Sequence, residues 1–126
     1  MINSIHHISM KCKNDSEYER IKHFYIDTLK LEILLECETC LLLSTNGGIV
    51  EVFRNGEDDL QKGVIRHFAF ATDDVRKCVE AVKNAGYEVF VEPKQVKIGG
   101  LEKYKATVAF CYGPLGEEVE FFCQEW

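Results

Sequence analysis

Positive charge is scarce in this chain: 15 lysines and arginines against 21 aspartates and glutamates leave a formal net charge of −6 over 126 residues. Without a basic field, nucleic acid and anionic membranes are poor partners. Long apolar runs are also missing. The longest, around Leu41-Leu42-Leu43, is strand-sized and well short of a bilayer span. The opening residues Met1-Ile2-Asn3-Ser4-Ile5 carry no basic segment and no cleavage-like run of small residues. A second C-x-x-C is lacking, so Cys37 and Cys40 do not make a zinc ribbon. These absences point to a cytoplasmic protein.

What is present suits one compact domain. An apolar content of 46% and a charged content of 29% are ordinary for a globular chain, and 126 residues can bury one proper core. Of the six cysteines, Cys12, Cys78, Cys111 and Cys123 fall in apolar segments and read as small packed hydrophobes. Cys37 and Cys40 flank a hairpin turn; reduced thiols are the default there, with a cross-strand disulfide or redox switch as the alternative.

The chain carries one pattern twice. Residues 5–12 alternate as a strand, and Asn14-Asp15-Ser16 breaks it. Ser16 with Glu19 forms an S-x-x-E capping box ahead of a helical stripe of Ile21, Phe24, Tyr25, Thr28 and Leu29. Residues 31–37 and 40–44 read as a hairpin, Asn46-Gly47-Gly48 as a turn, and 49–54 as the last strand. After an acidic connection at 55–59 the pattern restarts. A strand at 64–71 is followed by Asp73 as N-cap, then a stripe of Val75, Cys78, Val79, Val82 and Ala85 ended by Gly86. A strand at 87–91 is stopped by Pro93, and 94–105 reads as a lysine-bearing mobile loop. Strands at 106–112 and 118–124 close the copy around Gly113-Pro114-Leu115-Gly116. The expected fold is α+β: two βαβββ modules, 1–55 and 63–126, of a single domain, 1–126, whose sheets pair within the chain or across a dimer into a half-barrel around a site.

Each copy places a histidine on its first strand and a glutamate on its last: His7 and Glu51, then His67 and Glu120. All four lie in apolar β runs, where a lone imidazole or an unpaired carboxylate is costly to bury. Two imidazoles and two carboxylates suit a borderline divalent metal, Ni²⁺, Zn²⁺, Co²⁺ or Fe²⁺. Side chains two apart share a strand face. His7 therefore lies with Ile5, Ser9 and Lys11, Glu51 with Ile49, Phe53 and Asn55, His67 with Ile65, Ala69 and Ala71, and Glu120 with Glu118 and Phe122. The opposite faces, bearing Ile8, Met10, Val50, Val52, Phe68, Phe70, Val119 and Phe121, should pack under the helices. By the same parity His6 points away from His7 to the surface, Glu117 and Glu118 face solvent, Arg54 and Arg66 are solvated, and Phe53 and Phe122 serve as core or pocket wall.

Across essentially its whole length the sequence resembles the vicinal oxygen chelate superfamily of glyoxalases, extradiol dioxygenases, epimerases and antibiotic-resistance proteins. The resemblance rests on His7-Ile8-Ser9-Met10, on Phe24-Tyr25-Ile26-Asp27-Thr28-Leu29-Lys30-Leu31 (Lys30 standing where the family usually has glycine), on Asp73-Asp74-Val75 through Val89, and on Gly113-Pro114-Leu115-Gly116-Glu117-Glu118-Val119-Glu120. The closing motif lacks both family aspartates. A filled His, Glu, His, Glu set resembles that of glyoxalase I-type lyases. The resemblance implies Asn55 and Lys11 as substrate-binding residues, Lys11 replacing an arginine and so losing its bidentate grip. It implies Lys97 as the substrate-loop lysine, Glu120 as catalytic base, Glu51 as its partner across the metal, and a homodimer.

The expected activity is a metal-dependent isomerisation of a 2-oxoaldehyde–thiol hemithioacetal through a metal-bound enediolate. The substrate is then a small thiol conjugate. An epimerase acting beside a thioester needs the same chemistry. A non-catalytic module that binds an antibiotic or other planar ligand is the alternative of a different class. A ring-cleaving dioxygenase is weaker, because the second glutamate takes a position that catechol and O₂ need.

Overall fold

The computed structural model describes residues 1, 4–61, 63 and 65–126. They divide into two compact units, Met1–Asp59 and Leu60–Trp126. The first runs β1 (His7–Lys11), α1 (Asp15–Ile21) with a π-helical continuation (Lys22–Thr28), β2 (Glu32–Glu36), β3 (Cys40–Ser44) and β4 (Ile49–Phe53). Its sheet order is β1-β4-β3-β2, with β1 and β4 parallel and the hairpin strands antiparallel. The second runs β5 (Phe68–Ala71), α2 (Val75–Asn84), β6 (Val89–Lys97), a 3-10 turn (Ile98–Gly100), β7 (Lys105–Tyr112) and β8 (Glu118–Gln124). Its order is β5-β8-β7-β6, with β5 and β8 parallel. The α+β architecture of a duplicated βαβββ unit is thus the observed one.

Parity holds along β1 and β4. In β4, Val50 and Val52 are buried while Ile49, Glu51 and Phe53 are half-buried; in β1, Ile8 and Met10 are half-buried between exposed His7, Ser9 and Lys11. The buried set of the first unit joins Ile21, Phe24 and Tyr25 from the helix with Leu41, Leu43, Val50 and Val52. Burying side chains of this size contributes about 1.5–3 kcal/mol each. The π winding shows in the Leu29 N–H, which donates to the Phe24 carbonyl five residues back at 3.0 Å, and the Thr28 hydroxyl also donates to the His23 carbonyl at 2.9 Å. Adjacent Phe24 and Tyr25 are both fully buried, their rings edge-to-face at 4.8 Å. Lys30, at φ 63°, then turns the chain into β2, in the conformation where glycine is the unstrained residue.

The helix starts differ from the sequence expectation by one or two residues. Asn14, not Ser16, caps α1, accepting from the Glu17 N–H at 2.9 Å. Asp74, not Asp73, caps α2, accepting from the Lys77 N–H at 3.0 Å. Both windows hold several residues able to cap, and the chain path chooses among them. Gly86 ends α2 as expected: at φ 90° its N–H and that of Tyr87 satisfy the Lys83 and Val82 carbonyls. The helix packs on β6, β7 and β8 through Val75, Val79 and Val82.

Two further expectations change. Pro93 does not stop its strand. β6 continues to Lys97, and 105–112 pair back onto it, so most of the expected loop is hairpin. β6 is the outer strand of its sheet and its pairing shifts between Val91 and Lys94, so the missing proline N–H disrupts no regular ladder. The expected strand at 64–71 is observed as Phe68–Ala71, Val64 lying outside the described residues.

Candidate metal and substrate site

The parallel pairs β1/β4 and β5/β8 each bring a histidine to a glutamate. In the first unit Ser9 is the register partner of Glu51, and His7 sits two residues upstream on the same face. His7 Nε2 lies 3.9 Å from Glu51 Oε1. The other ring nitrogen, Nδ1, is 3.0 Å from Nδ1 of His6, and the two rings meet edge-to-face. His6 therefore touches His7, against the parity expectation, and a partner at Nδ1 orients a ring whose Nε2 faces the glutamate.

In the second unit Ala69 is the partner of Glu120, and His67 immediately precedes β5. His67 Nε2 lies 3.0 Å from Glu120 Oε2. Glu120 is 8% exposed, and burial pushes its carboxyl above the ordinary range, with the neighbouring His67 pulling part of the way back. The two histidines are not buried: the His7 and His67 side chains are 46% and 38% exposed. The burial cost argued from the sequence therefore bears on Glu120 and, less strongly, on half-buried Glu51, and not on the two imidazoles.

Among the described residues no group of three or more His, Cys, Asp or Glu side chains is gathered as a metal-holding cluster. What the structure brings together is two His–Glu pairs, one in each unit. Each pair offers one imidazole nitrogen and one carboxylate oxygen, donor types that a borderline divalent cation accepts.

The residues implied as substrate contacts are distributed unevenly. Lys11 is exposed at the end of β1, on the His7 face and opposite Phe53. Asn55 is exposed just beyond β4. Lys97 ends β6 and is ion-paired with Glu102, which also holds Lys105 at 2.9 Å. Arg54 is not simply solvated: it bonds Asp15 at 2.5 Å and lies over the Tyr18 ring at 4.3 Å. Glu117 is not solvent-facing either. It is 4% exposed, with Oε2 accepting from the Leu115 N–H at 2.8 Å. It folds over Gly113, where a Cβ would collide with the carboxylate.

An aromatic wall beside the second pair was not read from the sequence. Phe110, the register partner of Glu120, meets the His67 ring edge-on at 5.1 Å. Phe90 lies 5.7 Å from Phe110 and stacks on Tyr112 at 4.3 Å. Only the β6/β7/β8 register sets these rings beside Glu120, and no local motif announces it. Phe122 instead approaches Trp126 at 6.1 Å.

The sequence profile of the Glyoxalase/Bleomycin resistance protein/Dioxygenase superfamily matches residues 4–121. The chain belongs to this superfamily. Solved structures of glyoxalase-superfamily members share its fold. A glyoxalase family protein from Enterococcus faecalis is 21% identical, with a TM-score of 0.73 over 94% of this chain and 96% of the other. A glyoxalase/bleomycin resistance protein/dioxygenase from Alicyclobacillus acidocaldarius is 17% identical at 0.70, over 97% and 92%. A lactoylglutathione lyase from Agrobacterium tumefaciens is 14% identical at 0.72, over 98% and 95%. Likeness at these identities is one of glyoxalase-superfamily fold. No curated protein matches the sequence.

Proposed function

We propose that this superfamily member is a metal-dependent lyase or isomerase of the glyoxalase I type, its two modules acting as one domain. His7, Glu51, His67 and Glu120 together would hold one divalent cation: nickel, zinc, cobalt or iron. The observation that carries the reading is the repeated His–Glu pair on parallel strands, at 3.9 Å in one unit and 3.0 Å in the other. When bound, such a cation supplies Lewis-acid polarisation of two adjacent substrate oxygens.

The remaining work falls to side chains. Glu120 is the base that takes the carbon-bound proton of a hemithioacetal and returns it to the neighbouring carbon. Glu51, half-buried, is the complementary carboxylate, while Lys11 and Asn55 extend the same face towards the substrate. Lys97 can join them only by leaving Glu102.

The reading places the protein in the cytoplasm with a small thiol conjugate as substrate. No helix among the described residues is long and apolar enough to cross a membrane. It also includes a homodimer. β2 is the outer strand of its sheet and exposes Ile33, Leu34 and Leu35, an apolar edge that a second copy would cover.

The experiment is elemental analysis of protein purified without added metal, followed by turnover assays. Methylglyoxal with several thiols and a thioester epimerisation substrate are tried with each divalent metal. Stoichiometric metal and lyase turnover are expected. Turnover in the thioester assay alone moves the assignment to an epimerase, which relies on the same base. The stacked Phe90 and Tyr112 beside Phe110 favour a second reading, a module that binds a planar ligand. Inactivity in both assays with every metal selects it.

A further inference from the structure

Cys37 and Cys40 flank the two-residue turn Glu38-Thr39, one step beyond the Glu36–Leu41 register pair of the β2/β3 hairpin. The Cys37 N–H donates to the Cys40 carbonyl at 2.9 Å, so the two residues face each other as a hydrogen-bonded antiparallel pair. Such residues have Cα atoms about 5.5 Å apart, within the span a disulfide bridges without moving the backbone. Their Sγ atoms are 2.9 Å apart. The sulfurs differ in access: Cys37 is exposed, whereas Cys40 is buried.

That asymmetry distinguishes an entering sulfur from a shielded one. We propose that Cys37 and Cys40 form a thiol–disulfide exchange site that a low-molecular-weight disulfide oxidises, with Cys37 attacking and Cys40 resolving. The hydrogen bond from the Cys40 thiol and the one from Thr39 lower the Cys37 thiol to about 7, and the same contact with Cys37 raises Cys40. Cys37 therefore carries a useful thiolate fraction at neutral pH while Cys40 holds its proton.

The exchange balances in two steps. The Cys37 thiolate attacks one sulfur of the small disulfide; that S–S bond breaks, a Cys37 mixed disulfide forms, and one small thiolate leaves and is protonated. Cys40 then gives its proton to water and its sulfur attacks Cys37 Sγ, expelling the second small thiolate. Two protein thiols become one disulfide, and the small disulfide is reduced to two thiols.

The site is tied to the strand that carries Glu51. Cys40 is the register partner of Phe53. The Arg54 N–H donates to the Thr39 carbonyl at 3.0 Å, and Arg54 Nη1 to the Glu38 carbonyl at 3.4 Å. Closing the disulfide would fix a turn already bound to the end of β4. The proposal does not depend on the metal reading, and its test needs no activity.

The full chain is equilibrated in mixtures of reduced and oxidised glutathione, its remaining thiols are alkylated, and each cysteine peptide is assigned by mass spectrometry. In oxidised mixtures Cys37 and Cys40 are expected to lose alkylation together, the peptide being lighter by two hydrogens, and dithiothreitol should restore both. Cys40→Ser should trap glutathione on Cys37. Cys37→Ser should leave Cys40 alkylatable and free of adduct. At neutral pH Cys37 should alkylate several-fold faster than Cys123. Full alkylation of both cysteines in oxidised mixtures of the unmutated protein would overturn the exchange site. An adduct that forms as readily on Cys40 in Cys37→Ser would overturn the assigned roles.

Discussion

His67 Nε2 sits 3.0 Å from Glu120 Oε2, whereas His7 Nε2 is 3.9 Å from Glu51 Oε1. One module thus closes its imidazole–carboxylate pair directly and the other holds it apart, though both use the same parallel-strand frame. The tighter pair also contains the buried carboxylate.

This asymmetry bears on metal retention. If all four residues ligate, His67→Ala and Glu120→Ala should each lower metal affinity by more than the roughly 10–100-fold that loss of an outer hydrogen-bond partner causes. His7→Ala should do the same, and His6→Ala, which removes only the partner at His7 Nδ1, should fall within that smaller range. Metal content after dialysis measures each. Unchanged occupancy in both His67→Ala and Glu120→Ala would end the four-ligand assignment.

Backbone strain at Lys30 gives a stability prediction independent of function. A lysine at φ 63° adopts a left-handed conformation that costs an ordinary residue about 1–2 kcal/mol. Lys30→Gly removes that cost and returns some of it as unfolded-chain entropy, for a net gain of about 0.5–1 kcal/mol. The urea midpoint should rise with the slope unchanged. Gly86→Ala, at φ 90° with open space around its Cβ, should lose a similar amount through strain alone.

Lys30 also illustrates what was legible beforehand. The family resemblance marked the position as one for glycine, and the structure supplies the reason. Strand faces and both His–Glu pairs were readable because a period of two residues and an internal repeat are local patterns. Asn14 and Asp74 as caps were not, since each competes with equally capable neighbours. β6 running through Pro93 was not, because whether a strand is an edge depends on the sheet order. Phe110 beside Glu120 was not, because register joins residues that no motif connects.

Acid should weaken the first unit at a defined contact. Glu36 accepts from Lys22 Nζ at 2.7 Å and from the Tyr18 hydroxyl at 2.9 Å, and the lysine, then the tyrosine, hold its carboxyl below the ordinary range. A carboxyl lowered on folding adds stability that is present above its unfolded value of about 4.3 and is lost as pH falls through the folded value. Wild type should therefore be the more stable at neutral pH when compared with Glu36→Gln, by a small margin because the pair is exposed. The margin should shrink as pH falls below the unfolded value and vanish once pH is below the lowered folded value. A margin that is constant across the titration would assign the effect to packing.

The exposed edge of β2 predicts self-association. Sedimentation at micromolar concentration should show a dimer, and replacing Leu34 and Leu35 by lysine should shift it towards monomer without loss of helix or sheet signal. A wild type that sediments only as monomer would remove the second copy from the proposal.

In the proposed lyase reaction, catalysis turns on Glu120. Glutamine keeps the shape of the side chain and can still accept a hydrogen bond from His67, but it cannot take a proton. Its neutrality also spares the buried position an ionised group, so Glu120→Gln should fold at least as well as the wild type at neutral pH. Turnover should fall by at least the roughly 10²–10⁴-fold that a positioned proton acceptor contributes. Metal must be measured on the same sample, because a weaker ligand could release it and mimic loss of the base. A metal-loaded variant with little turnover assigns the proton to Glu120, and restored turnover on excess metal assigns the defect to ligation. A metal-loaded variant turning over at the wild-type rate removes Glu120 from the base role and leaves Glu51 as the carboxylate to test.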